Sequence, residues 1–454
     1  MEKPLAVGCA KVDVTPPLTI PYLGFVPRQG YFTGVHDPLY ARAAVIGDGT
    51  TELAVISVDA LGYSDVLVGR DGGVMEELGA RVEALTGIPK DHILLSATHA
   101  HSTPETCCLT RIEAVPGAKR WFATHLDQIA SAVAMAAARR RPCRLKAGSV
   151  QAPGIAWNRR IWGKDGRLYA WHNRPPDDQI ADWGANDHEL GLWLFEGIDD
   201  EEPVCVFVNF ACHPTTVQVQ PWVSADFPGL AMQILEERLG GVALFLQGMC
   251  GNVRPVSTEY GFRDVRRHGL ALAGAALHLA GRLMQRQTPS AGWQVRLAGE
   301  RVALPTRRDA PDEGELRARM AEHQKELAAA RSEEERRAAL ARIRWVDDRL
   351  RMVELARDWP TMSADLFACR IGEAALVGMA GEPFVEYGLQ LKASSPAKHT
   401  LTLGYIGNWV GYLPNAQAYE RGGYEPSYGA WTRLARGAGE TLTAKAEQLL
   451  RSLW

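Results

Sequence analysis

Short apolar, β-branched runs alternate along the chain with longer stretches of helical periodicity, the pattern of a layered α/β protein. Leu53 to Ser57, Ile93 to Ala97, Val204 to Phe210, Val242 to Gln247, Ala374 to Met379 and Thr400 to Ile406 predict strands. Gly73 to Leu85, Trp121 to Arg139, Pro228 to Leu239, Val265 to Leu283 and Ala430 to Leu453 predict helices. The expected fold class is α/β: a layered mixed sheet flanked by helices, in one domain spanning 1–454. From Arg308 to Trp359 the pattern changes. Glu, Arg, Ala and Leu dominate, and Leu316, Met320, Leu327, Leu340, Ile343, Leu350 and Val353 recur at helical spacing. Ser332 followed by Glu335 makes a capping-box start for the second half. This segment, 308–359, reads as an inserted charged helical hairpin, a solvated arm packing along one stripe and a candidate oligomer contact.

The polar motifs fall just beyond the ends of the predicted strands, where open α/β sheets bind ligands. His99-Ala100-His101 follows Ile93 to Ala97. In extended chain, side chains two apart share a face, so both imidazoles can converge on one ion, or divide into a ligand and a proton shuttle. His213 follows a second apolar run, and Pro214 biases it away from helix. Taken alone, it serves equally well as a turn residue or a ligand. Gly248 to Pro255 follows a third run, with glycines that permit close backbone approach. Glu382 stands at a strand-to-helix junction, where favouring the positive end of the helix would account for it fully. Tyr405 and Tyr412 lie in an aromatic, glycine-rich stretch in which packing roles are the common ones.

Composition narrows the partners. The chain has 454 residues, 46% hydrophobic and 23% charged, with a formal charge of −3, so neither nucleic acid nor an anionic membrane has an electrostatic case. No run reaches membrane-spanning length. The eight cysteines form no CxxC pair and read as reduced, buried small hydrophobes, Cys107-Cys108 near the HxH included. With globular patterning from the N-terminus onward, the expected location is the cytoplasm and the expected partner a small-molecule substrate.

The ordered set of motifs carries more than any one of them. The chain resembles the N-terminal catalytic domain of the neutral/alkaline, non-lysosomal ceramidases, which are zinc-dependent amidases. The resemblance runs through Val7 to Pro16, Gly34 to Ala43, Thr98 to Ser102, Asn158-Arg159, Asp187 to Gly191, Cys212 to Thr215, Val223 to Asp226, Gly381-Glu382 and Gly411-Tyr412. It implies one zinc ion per chain held by His99, His213, Glu382 and Tyr412, with His101 as acid/base and Arg159 at the reacting group. Nitrogen and oxygen donors of these types suit zinc. Two departures stand out. The family's Gly-Asp-Val-Ser-Pro is here Gly251-Asn252-Val253-Arg254-Pro255, and an enzyme without the family's immunoglobulin-like module and secretion signal is expected.

The resemblance therefore predicts zinc-assisted amide hydrolysis with a substrate other than membrane ceramide. His101 would move the proton, and Arg159 with Tyr412 would bind the oxyanion. Asn252 and Arg254 would contact substrate, the permanent cation favouring a carboxylate-bearing one. An esterase, lactonase or ring-forming enzyme on the same zinc site is an alternative, as is a non-catalytic metal-binding relative. An amidohydrolase barrel would place its HxH on the first strand, whereas strand-like segments precede His99.

Overall fold

Burial on both faces builds the predicted apolar runs into an eight-stranded mixed sheet in the computed structural model, which describes residues 3–22, 30–69, 72–169, 173–256 and 259–454. The strand order across the sheet is Val242–Gln247, Pro203–Phe210, Glu189–Gly197, Arg141–Gln151, Leu5–Asp13, Tyr40–Gly47, Glu52–Val58 and Ile93–Ala97. The outermost pair at each end is parallel and every other neighbouring pair antiparallel. Parallel strands need crossover connections, and helices supply them: Val74–Thr86 precedes Ile93–Ala97, and Asp226–Leu239 precedes Val242–Gln247.

Four layers result. Helices Val74–Thr86, Ala118–Ala138, Asp226–Leu239 and Phe262–Met284 bury residues such as Leu78, Phe122, Met232 and Leu272 on one face of the sheet. On the other face Val7, Val55, Phe207 and Leu244 pack against Phe367, Ile371 and Leu376. Those belong to a second sheet, ordered Val295–Pro305, Thr361–Ile371, Ala374–Met379 and His399–Leu403. Helices Val385–Ser394 and Ala438–Ser452 cover its outer side through Leu391, Leu442 and Leu450. No described helix is long and apolar enough to cross a membrane.

Two elements fall clearly short of the periodicity. The strand expected to reach Ile406 stops at Leu403, because Tyr405 takes a left-handed φ of 59°. The following turn stitches the two ends of the large sheet together: Gly404 N–H donates to Gln247 O at 3.1 Å, and Gly407 N–H to Leu95 O at 2.9 Å. The helix expected from Ala430 begins only at Ala438, after Gly437 in a left-handed turn at φ 91°. Residues 430–437 are loop.

The inserted segment is a helical hairpin, Glu313–Ala329 and Glu333–Asp358, and Ser332 and Glu335 form the expected capping box. Its expected stripe is only partly the buried one. Leu316 is buried, but the buried apolar side chains of the second helix are Ala339, Val346, Met352 and Leu355. That helix is also less solvated than its charge suggests, since its middle turns line the cavity that holds His99 and His101.

Candidate active site

The stitched sheet ends bring together loops that lie far apart in sequence. Gln247, the last residue of its strand, donates from Nε2 to Thr98 O at 2.9 Å and to Cys212 O at 3.0 Å. Those are the carbonyls just before His99 and His213. One buried amide therefore sets the spacing of both histidine loops. Replacing Gln247 with Ala is expected to lower metal affinity about 10- to 100-fold, the usual cost of losing a residue that orients ligands. Metal titration of the variant checks this.

His99 does not have the extended geometry expected of the HxH. Its φ is 63°, a left-handed conformation rare for a residue with a Cβ and common where function holds strain. The two rings stand nearly perpendicular at 87°, yet their Nε2 atoms meet at 3.1 Å. Each flanking imidazole has its other nitrogen occupied. His99 Nδ1 lies 2.6 Å from Leu61 O, and His213 Nδ1 lies 2.7 Å from Cys250 O and 2.9 Å from Val253 O. A carbonyl can only accept, so Nδ1 carries the proton in both rings and each Nε2 presents a lone pair.

Those lone pairs face a carboxylate. Glu382 Oε2 lies 3.0 Å from His213 Nε2 and 3.4 Å from His99 Nε2. Trp409 Nε1 donates to the other oxygen, Oε1, at 3.2 Å. Burial alone would raise Glu382; its two imidazole neighbours outweigh it and hold the carboxyl well below its usual range. Burial pushes His213 down to about 4, against the pull of Glu382 and with the help of Arg159. A neutral imidazole beside an ionised carboxylate, both offering acceptors, is a site that a cation completes. Tetrahedral ligands on bonds of about 2.0–2.1 Å stand roughly 3.3 Å apart, so the observed spacing fits a small divalent metal.

Glu382 arrives there through an unusual ladder. Glu382–Pro383 and Tyr412–Leu413 form a two-stranded parallel pair in which Glu382 is in register with Tyr412, so both side chains leave on the same face. A glycine precedes each. A Cβ at Gly381 (φ 74°) would meet Gly411 O at 2.5 Å, and one at Gly411 (φ 87°) would meet Trp431 O at 2.4 Å. Only glycine allows the strands this close. The helix-dipole role that would explain Glu382 on its own is not what the side chain does, because it turns to the imidazoles instead.

The expected residues separate into those at the site and one beside it. His99, His101, Arg159, Arg254, Glu382 and Tyr412 line a common cavity of about 310 Å³, and His213 is fully buried beneath it. Among the described residues, His99, His101 and His213 also form a cluster whose ligand atoms lie within 4.8 Å of one another. Arg159 is fixed by Glu425 Oε1 at 2.7 Å and Gly251 O at 2.7 Å, and its guanidinium lies 5.2 Å from the Tyr412 ring centroid. Burial opposes its charge, but Tyr412 and Glu425 hold its pKa well above the ordinary value. Arg254 reaches Tyr260 Oη at 2.6 Å.

Asn252 does not line this cavity: its Oδ1 accepts from Val385 N–H at 2.9 Å and its Nδ2 donates to Glu386 Oε2 at 2.9 Å, at the start of helix Val385–Ser394. Cys107 and Cys108 are buried, and burial pushes both thiols well above their ordinary range.

Four contributors escaped the sequence reading as site residues: Gln247, Tyr405, Trp409 and Glu425. The Tyr405 ring lies tilted against His99 at 4.1 Å, and its hydroxyl reaches Glu382 Oε2 at 3.5 Å. Only its place in an already suspect aromatic stretch hinted at this. Glu425 bridges Arg159 and Arg160 from a loop with no motif around it.

Residues 5–255, more than half of the chain, match the family described as neutral/alkaline non-lysosomal ceramidase, N-terminal. The chain belongs to this family. Within it, a 104-residue stretch is 31% identical to neutral ceramidase of Drosophila melanogaster, covering 22% of this chain and 14% of that protein. Neutral ceramidase of Drosophila pseudoobscura pseudoobscura matches with the same identity and coverage. The alignment thus spans about a seventh of these relatives' length. The crystal structure of neutral ceramidase from Pseudomonas aeruginosa superposes with a TM-score of 0.71 at 19% identity, over 100% of this chain and 75% of that one. A ceramidase complexed with C2 gives 0.70 at 19% identity over the same shares. At that identity the likeness is one of fold.

Proposed function

We propose that this ceramidase-family chain is a zinc-dependent hydrolase that cleaves the amide bond of a small, anionic N-acyl compound. The observation that carries the reading is the convergence of three acceptors, Glu382 Oε2 lying 3.0 Å from His213 Nε2 and 3.4 Å from His99 Nε2. Tyr412, in register with Glu382, completes the donor set as a phenolic oxygen. A bound zinc ion supplies Lewis acidity, polarising a carbonyl and bringing the pKa of coordinated water down toward about 7.

The chain's own groups do the rest. His101, 3.1 Å from the His99 ring nitrogen, takes the proton from water and returns it to the leaving amine. Arg159 cannot swing away, because Glu425 and Gly251 hold it, so its charge is already in place as the carbonyl oxygen turns anionic. Arg254 meets the substrate's carboxylate. Among the described residues no carboxylate pairs with it, and its guanidinium donates to the Tyr260 hydroxyl.

The test is a panel of N-acyl amides and matched esters on zinc-loaded protein, each with and without a carboxylate. Carboxylate-bearing amides are expected to be turned over best. Arg254→Ala should raise their KM about 10- to 100-fold, the value of a charged hydrogen bond, and leave neutral amides unchanged. Faster cleavage of every ester with no amide turnover would reject the amidase reading. Equal efficiency toward both charge types in wild type and variant would reject the anionic one.

A further inference from the structure

The hairpin's second helix is tied down on two sides. Arg111 pairs with Asp347 at 3.1 Å and Glu354 at 2.8 Å, and Arg351 pairs with Glu113 at 2.5 Å, joining the helix to the loop that follows His101. Ala430 N–H donates to Asp348 O at 3.1 Å, joining it to the loop before the last helix. These ties place Trp345 in the cavity lining.

Trp345 is the outer member of an aromatic row. Its ring stacks on Trp431 at 5.1 Å, Trp431 stacks on Tyr424 at 4.9 Å, and Tyr424 meets Tyr412 edge-on at 5.8 Å. Arg349 lies 3.6 Å from the Trp345 centroid and adds a cation–π hold on the ring. Despite these restraints Trp345 remains 43% exposed. A large apolar ring fixed at a cavity wall and left open to solvent is ligand-contact surface. The cavity, about 310 Å³, is at the small end for ligand sites.

We infer that the inserted hairpin sets the substrate size limit, with Trp345 as the specificity-determining residue: its ring receives the acyl portion of a compact amide and blocks longer chains. This rests on the hydrolytic reading of the same cavity. The row from Trp345 to Tyr412 makes the acyl wall continuous with the reacting end, and the ion pairs make that wall rigid. The other half of the hairpin, Glu313–Ala329, buries only Leu316 and takes no part.

The test uses sulfonamide analogues of N-acyl glycines, from methyl to hexadecyl, which bind without being cleaved. Calorimetry on zinc-loaded wild type is expected to show the tightest binding for short chains and a steep loss for long ones. Trp345→Ala should weaken the short analogues roughly tenfold and admit longer chains, Trp345→Phe should restore most of the profile, and Arg337→Ala, in the exposed first turns, should match wild type. A folded Trp345→Ala protein with the wild-type length profile would overturn the inference, as would tightest binding of the longest chain or no binding of any analogue. Turnover of the matching N-acyl glycines in the same preparations reports separately on hydrolysis. A Trp345-dependent length profile without turnover supports the size limit and rejects only the amidase reading.

Discussion

Protein carrying His213→Ala is expected to bind less than a tenth of the metal that wild type retains, and to lose at least about a thousandfold in kcat/KM, the loss of several kcal/mol of Lewis-acid stabilisation. His213 is fully buried, and two carbonyls fix its donor direction, so no neighbouring group can swing in to replace it. The same variant leaves His99, at 3.4 Å, as the one imidazole that Glu382 faces. With His213 gone, the carboxyl keeps its burial and loses one of the two imidazole neighbours that offset it, so its pKa rises toward the ordinary range. Elemental analysis beside circular dichroism decides the matter. Full metal retention in a folded His213→Ala protein would contradict the ligand assignment. Chelation of wild type should reproduce the loss of turnover, and added zinc should reverse it.

The second large effect separates binding from proton transfer. His101→Ala is expected to keep its metal and lose about 10²- to 10⁴-fold in kcat, the range for removing a general acid/base. Its ring meets His99 at Nε2 rather than Glu382, and it lies 5.8 Å, centroid to centroid, from His213. Wild-type turnover across neutral pH would remove it from proton transfer. Metal loss equal to that of His213→Ala would make it a ligand, since the three imidazoles already form a cluster of metal-binding dimensions.

The residues that announced themselves in the sequence did so for local reasons. An apolar run of strand length ends where its periodicity ends, so the positions of His99 and His213 beyond Ile93–Ala97 and Pro203–Phe210 follow from neighbours within a few residues. The capping box at Ser332 is similarly local. Glu382 and Tyr412 were recognisable as a pair only through family resemblance, since nothing within either stretch states that the two backbones run side by side. Asn252 went the other way. Its place in a family motif suggested substrate, while its actual partners, Val385 and Glu386, are more than a hundred residues onward.

The sequence by itself thus determined the kind of fold, the histidine-bearing strand ends and the hairpin. Tertiary structure alone decided that Gln247 spaces the two histidine loops, that Tyr405 and Trp409 brace His99 and Glu382, that Glu425 pins Arg159, and that a helix rich in charge supplies a cavity wall through Trp345. The physical reason is range. Strand ends and caps depend on hydrophobic periodicity and backbone bonding over a handful of residues. Each of these other contacts joins segments whose meeting depends on how two sheets stack and where their edges close.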